Sequence, residues 1–178
     1  MDYSLSNHDI YTLLNRKVPT LTYSQLEEIP NLDFLFNFTD EILLLYPSRE
    51  IQDNEIVYNP NVGHWTALTK DKDTITFFDS YGSFPDYQIT TKDFDPVLTK
   101  LLLDYQENHP NVNLQYNDRH LQKLKPNIAT CGRHTALWLN NYKKYNIDDY
   151  SNTLKDSNLD LDEFVTELTD EIYSRNNI

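Results

Sequence analysis

Two runs decide the fold: Gly63-His64-Trp65-Thr66-Ala67-Leu68-Thr69 and Thr74-Ile75-Thr76-Phe77-Phe78-Asp79-Ser80. Both are rich in β-branched and aromatic residues, and the polar Lys70-Asp71-Lys72-Asp73 between them is a turn, so the segment reads as an antiparallel hairpin. A turn centred between Asp71 and Lys72 sets Lys70 opposite Asp73, Leu68 opposite Ile75, Thr66 opposite Phe77 and His64 opposite Asp79. Directly opposed side chains have Cβ atoms about 4.5–5.5 Å apart. At that separation a carboxylate can take the proton on one imidazole nitrogen, fix the tautomer and leave the other nitrogen as a base. A slip of one residue would put the two side chains on opposite faces.

Upstream, Ser6 or Asn7 caps a short helix with the apolar stripe Ile10, Leu13 and Leu14. The run from Leu32 to Tyr46 is strongly apolar and fits helix or strand. Downstream, Asp95 as N-cap and Pro96 at the first helical position start a helix that buries Leu98, Leu101, Leu102 and Tyr105. Val112, Leu114 and Tyr116 alternate as in a strand. A polar loop carries Gln122 and Pro126 to Cys131. From there a helix is expected to run to Tyr145, with Trp138, Tyr142 and Tyr145 on one side and Lys143 and Lys144 at its negative end. The last helix opens on a capping box, Asp160 with Glu163, and buries Leu161, Phe164, Val165, Leu168 and Ile172. This order predicts an α+β fold, a mixed central β-sheet flanked by helices, in one domain spanning 1–178.

Composition narrows the function. Hydrophobic residues make up 39% and aromatics 13% of 178 residues, enough for a core and unlike a disordered chain. No stretch approaches the roughly 20 apolar residues of a membrane span, so no membrane partner is expected. The opening Met1-Asp2-Tyr3-Ser4 lacks the basic and apolar regions of a secretory signal, which points to a reducing compartment. The net charge of -13 argues against a nucleic-acid partner, because phosphate binding needs clustered Lys and Arg. The single cysteine allows no internal disulfide and no cysteine-based zinc site; no cofactor and no metal are expected.

Cys131-Gly132 opens a helix, where the positive end of the dipole favours a thiolate and the first-turn N–H groups lack intrahelical acceptors. Those groups can hold a developing oxyanion, and Gly132 would let a substrate backbone approach. Gln122, in the loop before Cys131, offers a neutral amide donor for the same oxyanion, with Gln115 as the fallback. His134 is a rival base on the nucleophile's own helix without an evident carboxylate. His8, His109 and His120 read as surface residues, and Arg133 as a solvated charge.

Together, Gly63-His64-Trp65-Thr66-Ala67-Leu68, Phe78-Asp79-Ser80-Tyr81-Gly82, Gln122 and Thr130-Cys131-Gly132-Arg133-His134 resemble the adenain / SUMO-protease clan of cysteine peptidases. The likeness runs from Gly63 to Tyr145 and keeps the clan's chain order His, Asp, Gln, Cys. The Cys-Gly-Arg-His form resembles the viral branch most, and the compact size resembles the capsid maturation proteases of virophages (mavirus-like) and Polinton-type elements. The resemblance implies a papain-like active site with Cys131, His64, Asp79 and Gln122 catalytic. It implies Trp65 as a substrate-cleft residue and cleavage of viral capsid or other structural precursors at Gly-containing sites. It implies a location in the virion and in the viral factory of the host-cell cytoplasm. A deconjugase for SUMO or another ubiquitin-like modifier would use the same residues; so, on a related fold, would an acetyltransferase, while a silent domain would only bind Gly-rich tails. Gln122 lies nine residues before Cys131, a longer loop than the clan's usual one.

No thiol besides Cys131 exists to tether an activating peptide through a disulfide. The charge balance further predicts that duplex DNA leaves the cleavage rate unchanged at about 0.15 M salt, where the Debye length is about 8 Å. A rate measurement with and without DNA checks this, and a large acceleration would contradict it.

Overall fold

The computed structural model describes residues 3–87 and 96–177, the side chains of 49–51, 56 and 58–62 excepted. Helix α1 (Asn7–Leu14) is capped by Ser6, whose hydroxyl accepts from Asp9 N–H while the Asp9 carboxylate accepts from Ser6 N–H. It leads into strand β1 (Thr20–Thr22), a 3-10 turn (Tyr23–Glu28) and helix α2 (Leu32–Phe36). Strands β2 (Glu41–Gln52), β3 (Glu55–Asp71) and β4 (Thr74–Phe78) follow, then helix α3 (Val97–Asn108) and strand β5 (Asn113–Tyr116). Helices α4 (Cys131–Leu139), α5 (Ile147–Asp156) and α6 (Leu161–Asn176) complete the chain.

The five strands form one mixed sheet in the order β1-β2-β3-β4-β5, parallel at its two outer pairs and antiparallel between. Because side chains alternate along a strand, the sheet buries two faces. Leu43, Leu45, Trp65, Ala67 and Phe78 pack under α1, α4, α5 and α6. Ile42, Leu44, Leu68, Ile75 and Phe77 pack under α3 and the 3-10 turn. The ambiguous run from Leu32 to Tyr46 is thus both things, a one-turn helix and then a central strand whose neighbours serve opposite cores.

The hairpin forms with a different register. Asp71 pairs with Thr74, Lys70 with Ile75, Leu68 with Phe77 and Ala67 with Phe78. The turn is centred between Lys72 and Asp73, with Lys72 left-handed at φ 53. Against the expectation this is a slip of two residues, which keeps every side chain on its face. The ladder ends at Ala67 with Phe78, so His64 and Asp79 meet beyond the paired residues and not across a rung.

Three helical expectations also need correction. Helix α4 ends at Leu139, where Arg16 donates to the Leu139 carbonyl and to the Asn140 side chain. After it, Asn146 caps the separate helix α5, accepting from Asp149 N–H. Asp160 stands at the N-cap of α6 as expected, but its carboxylate pairs with Lys123; of the expected stripe Leu161 and Val165 are buried and Ile172 packs partly buried against the core, with Thr169 buried beside them. Asp95 lies outside the described residues, and Pro96 itself stands at the N-cap of α3.

The N–H groups of α3 are served from a distance by Asp86, a buried residue with φ 68. Its carboxylate accepts from Thr99 N at 2.6 Å, from Leu98 N at 3.3 Å and from the Tyr23 hydroxyl. Asp86→Ala would strand these donors, so a loss of about 1–3 kcal/mol is expected. Urea denaturation checks it; a midpoint equal to that of the parent would contradict the capping role.

Candidate active site

The site forms where β4 stops. Past Phe78 the chain turns away, with Gly82 N–H bonded to the Asp79 carbonyl and Tyr81 N–H to Asp79 Oδ1. Gly82 takes φ +74, and a Cβ there would meet the Arg119 carbonyl carbon at 2.7 Å, so the close approach of the Arg119–His120 backbone requires glycine. With β4 gone, the Trp65 backbone on β3 keeps β2 on one side but has no strand on the other, and α4 fills that gap. The Trp65 carbonyl accepts from Thr135 Oγ1 at 3.1 Å, and Trp65 N–H donates to Cys131 Sγ.

His64 and Asp79 meet here, Nε2 to Oδ1 at 2.7 Å. The Asp79 side chain is 1% exposed and that of His64 13%. The other ring nitrogen is left for Cys131, with which the imidazole is also hydrogen-bonded. Tyr81 stacks on the His64 ring at 4.6 Å between centroids. Burial works against a charged His64, but the bonds to Asp79 and Cys131 outweigh it and raise its pKa to about 10. Burial alone would push the Cys131 thiol up; His64 and the backbone N–H groups of Trp65 and Gly132 outweigh burial and lower it. Both shifts favour a thiolate–imidazolium pair, an arrangement that can act as a nucleophile with its proton carrier in contact.

Gln122 is buried and joined to the same corner. Its N–H and that of Leu121 both donate to the Ser80 carbonyl at 2.9 Å, and its Oε1 accepts from Ser80 Oγ at 2.7 Å. This fixes the amide orientation, so Nε2 points as a donor toward Tyr81 Oη at 3.3 Å and the Ile128 carbonyl at 3.2 Å. Gln115 sits elsewhere, on the edge strand β5 paired with Thr76, and lines a separate pocket with Thr69, Trp138 and Tyr142.

Two expected substrate contacts turn inward. A Cβ on Gly132 would meet Leu5 Cβ at 3.1 Å and Trp65 Cδ1 at 3.2 Å, so the space its missing side chain leaves is filled by the protein itself. The Trp65 indole is buried, donates to the Leu5 carbonyl at 2.7 Å, and edges a groove of about 850 Å³ lined by Ser6, Tyr11, Val18 and Leu45. His134 does have a carboxylate, Asp162, at 3.2 Å, but it is fully buried, and that burial keeps its pKa below the ordinary range. Arg133 is likewise buried, donating to Thr169 and Asp170 on α6. His109 pairs with Asp33 and stacks on Tyr105. Among the described residues no group of three His, Cys, Asp or Glu side chains could hold a metal, and no helix is long and apolar enough to cross a membrane.

Sequence reasoning missed Ser80, which holds the glutamine, and Asn117, whose amide donates to the Asp79 carbonyl at 2.9 Å. The signal for Ser80 was its place directly after Asp79.

The chain is 31% identical over 183 aligned residues to the uncharacterized protein V9 of Sputnik virophage, covering 93% of this chain and 94% of V9. No protein-family profile matches it. Among solved structures it is similar to SUMO protease Ulp1 with the catalytic cysteine oxidized to a sulfinic acid (TM-score 0.40, 15% identity, 93% of this chain, 78% of the other). It is also similar to Ulp1 with that cysteine as a sulfonic acid (TM-score 0.37, 15% identity, 93% and 79%).

The lowered thiol predicts rapid alkylation of Cys131 by iodoacetamide near pH 7, below the ordinary thiol range. His64→Ala should move the midpoint of the rate–pH curve to or above that range. Asp79→Asn should pull down the upper pH limit, since the imidazolium loses its acceptor. An unchanged midpoint in His64→Ala would contradict the pairing.

Proposed function

The chain belongs to the family of the virophage protein V9, and from that premise and the site we propose that it is a cysteine endopeptidase of a virophage-type virus. The carrying observation is the single thiol of the chain held at a helix N-terminus by an imidazole that is itself held by a buried carboxylate. The Cys131 thiolate attacks a peptide carbonyl; the C=O pair moves to oxygen as the C–S bond forms. The oxyanion takes hydrogen bonds from Cys131 N–H and Gln122 Nε2, the latter exchanging its Tyr81 contact for the substrate. The His64 imidazolium then gives its proton to the leaving amine as the C–N bond breaks. Water, activated by the now neutral His64, hydrolyses the thioester.

The substrate is proposed to be a capsid or other structural precursor, cut at Gly-containing sites during virion maturation in the host-cell cytoplasm. The virophage relative supports the viral setting, and the motif resemblance supports the substrate class. A ubiquitin-like precursor is the competing substrate for the same site.

The test is incubation of the protein, and of Cys131→Ala, with virophage capsid precursors and with a SUMO precursor, reading cut ends by mass spectrometry. Cleavage of the capsid precursor after Gly by the parent alone is expected. Cleavage by Cys131→Ala would overturn the mechanism; cleavage of the SUMO precursor alone would overturn the substrate. Gln122→Ala should lower kcat by about 10²–10³, the usual loss for one oxyanion donor.

A further inference from the structure

One carboxylate joins both ends of the loop that separates Gln122 from Cys131. Asp162, 1% exposed at the start of α6, accepts from Lys123 N at 3.0 Å through Oδ2. Through Oδ1 it accepts from Thr130 Oγ1 at 2.5 Å and lies 3.2 Å from His134 Nε2. Lys123 follows Gln122 directly, and Thr130 precedes Cys131 directly. The segment 123–130 is therefore closed like a ring on a single side chain from another helix. The cost of this use shows locally: Thr130 stands at the N-cap of α4 and its side chain makes no cap bond there, because its hydroxyl is spent on Asp162.

We propose that Asp162 is a positioning residue, fixing the distance between the Gln122 amide and the Cys131 backbone so that both can reach one oxyanion. The inference rests on the peptidase reading above and deepens it. A long loop between two donors has many conformations of similar energy, and misplacing one donor by about 1 Å can cost on the order of 10²-fold in rate. Ser80 fixes Gln122 relative to Asp79. A bond from Gln122 Nε2 to the Ile128 carbonyl ties the amide to the loop itself, and the Asp162 clamp ties both ends of that loop to α6. Asp162 touches neither His64 nor the sulfur through any hydrogen bond described above, so the clamp acts on the oxyanion site and not on the thiolate pair.

The prediction separates those two functions. Asp162→Asn keeps an acceptor but places an NH2 group against a donor, and Thr130→Val removes the hydroxyl alone. On a fluorogenic peptide ending in Gly-Gly before an aminocoumarin, either variant should lower kcat by about 10- to 100-fold, part of the loss expected for the donor itself. Iodoacetamide should still alkylate Cys131 at the parental rate and with the parental pH midpoint. In a Gln122→Ala background Asp162→Asn should cost little more, since the donor it positions is already gone. Backbone hydrogen exchange should rise in 123–130 while α4 stays protected, a readout that needs no turnover. Unchanged exchange in both variants, or turnover losses that multiply with Gln122→Ala, would overturn the clamp. Equal loss of alkylation and turnover would reduce it to general destabilisation. If the parent cuts no peptide or precursor, the peptidase reading fails, and exchange still decides the clamp.

Discussion

A strand that stops early leaves its neighbour with backbone groups that must find partners. Here β4 ends at Phe78 while β3 runs on, and the exposed pair is the N–H and carbonyl of Trp65. Helix α4 takes both, the carbonyl through Thr135 and the N–H through the sulfur of Cys131. Docking of this kind brings a helix N-terminus to the in-plane edge of a sheet. Side chains of both faces can reach that edge, so Cys131 meets Trp65 and Gly132 from the α4 side and His64 from the other.

Electrostatics follow from that placement. A thiolate, an imidazolium and a carboxylate buried together are costly unless each is hydrogen-bonded. Cys131 has the helix N-terminus and two backbone donors as well as His64; Asp79 has His64 and the Tyr81 N–H. The same turn that satisfies Asp79 presents Ser80 to Gln122, so one short segment after β4 holds both the His64 partner and the Gln122 amide. The outer support comes from α6, through Asp162 to the loop and through Arg133 to Thr169 and Asp170.

Much of this was legible in the residues. The hairpin and its faces follow from β-branched and aromatic alternation, and Cys131-Gly132 at a helix start follows from the polar loop before it. The register was not, because a tetrapeptide Lys-Asp-Lys-Asp carries no glycine to mark the left-handed position, which Lys72 takes. The His64–Asp79 contact survived since a two-residue slip preserves the face and the turn after Phe78 brings Asp79 to the imidazole. Helix α5 was invisible behind an apolar stripe that runs on past Leu139. Its cap, Asn146 with Asp149, was the signal. Asp162, Asp86 and Arg133 escaped because their partners lie far away in the chain, and no local pattern records a carboxylate or guanidinium that serves another element.

The charge state of His64 decides whether the pair of Cys131 and His64 is ionised. Nitrogen-15 NMR of the histidine side chains reads whether each ring nitrogen carries a proton. The account predicts that at pH 8 both nitrogens of His64 are protonated, that the ring titrates near pH 10, and that Cys131→Ala or Asp79→Asn returns it toward the ordinary value of about 6.5. A neutral His64 at pH 8 in the unmodified protein, unaffected by either substitution, would contradict it.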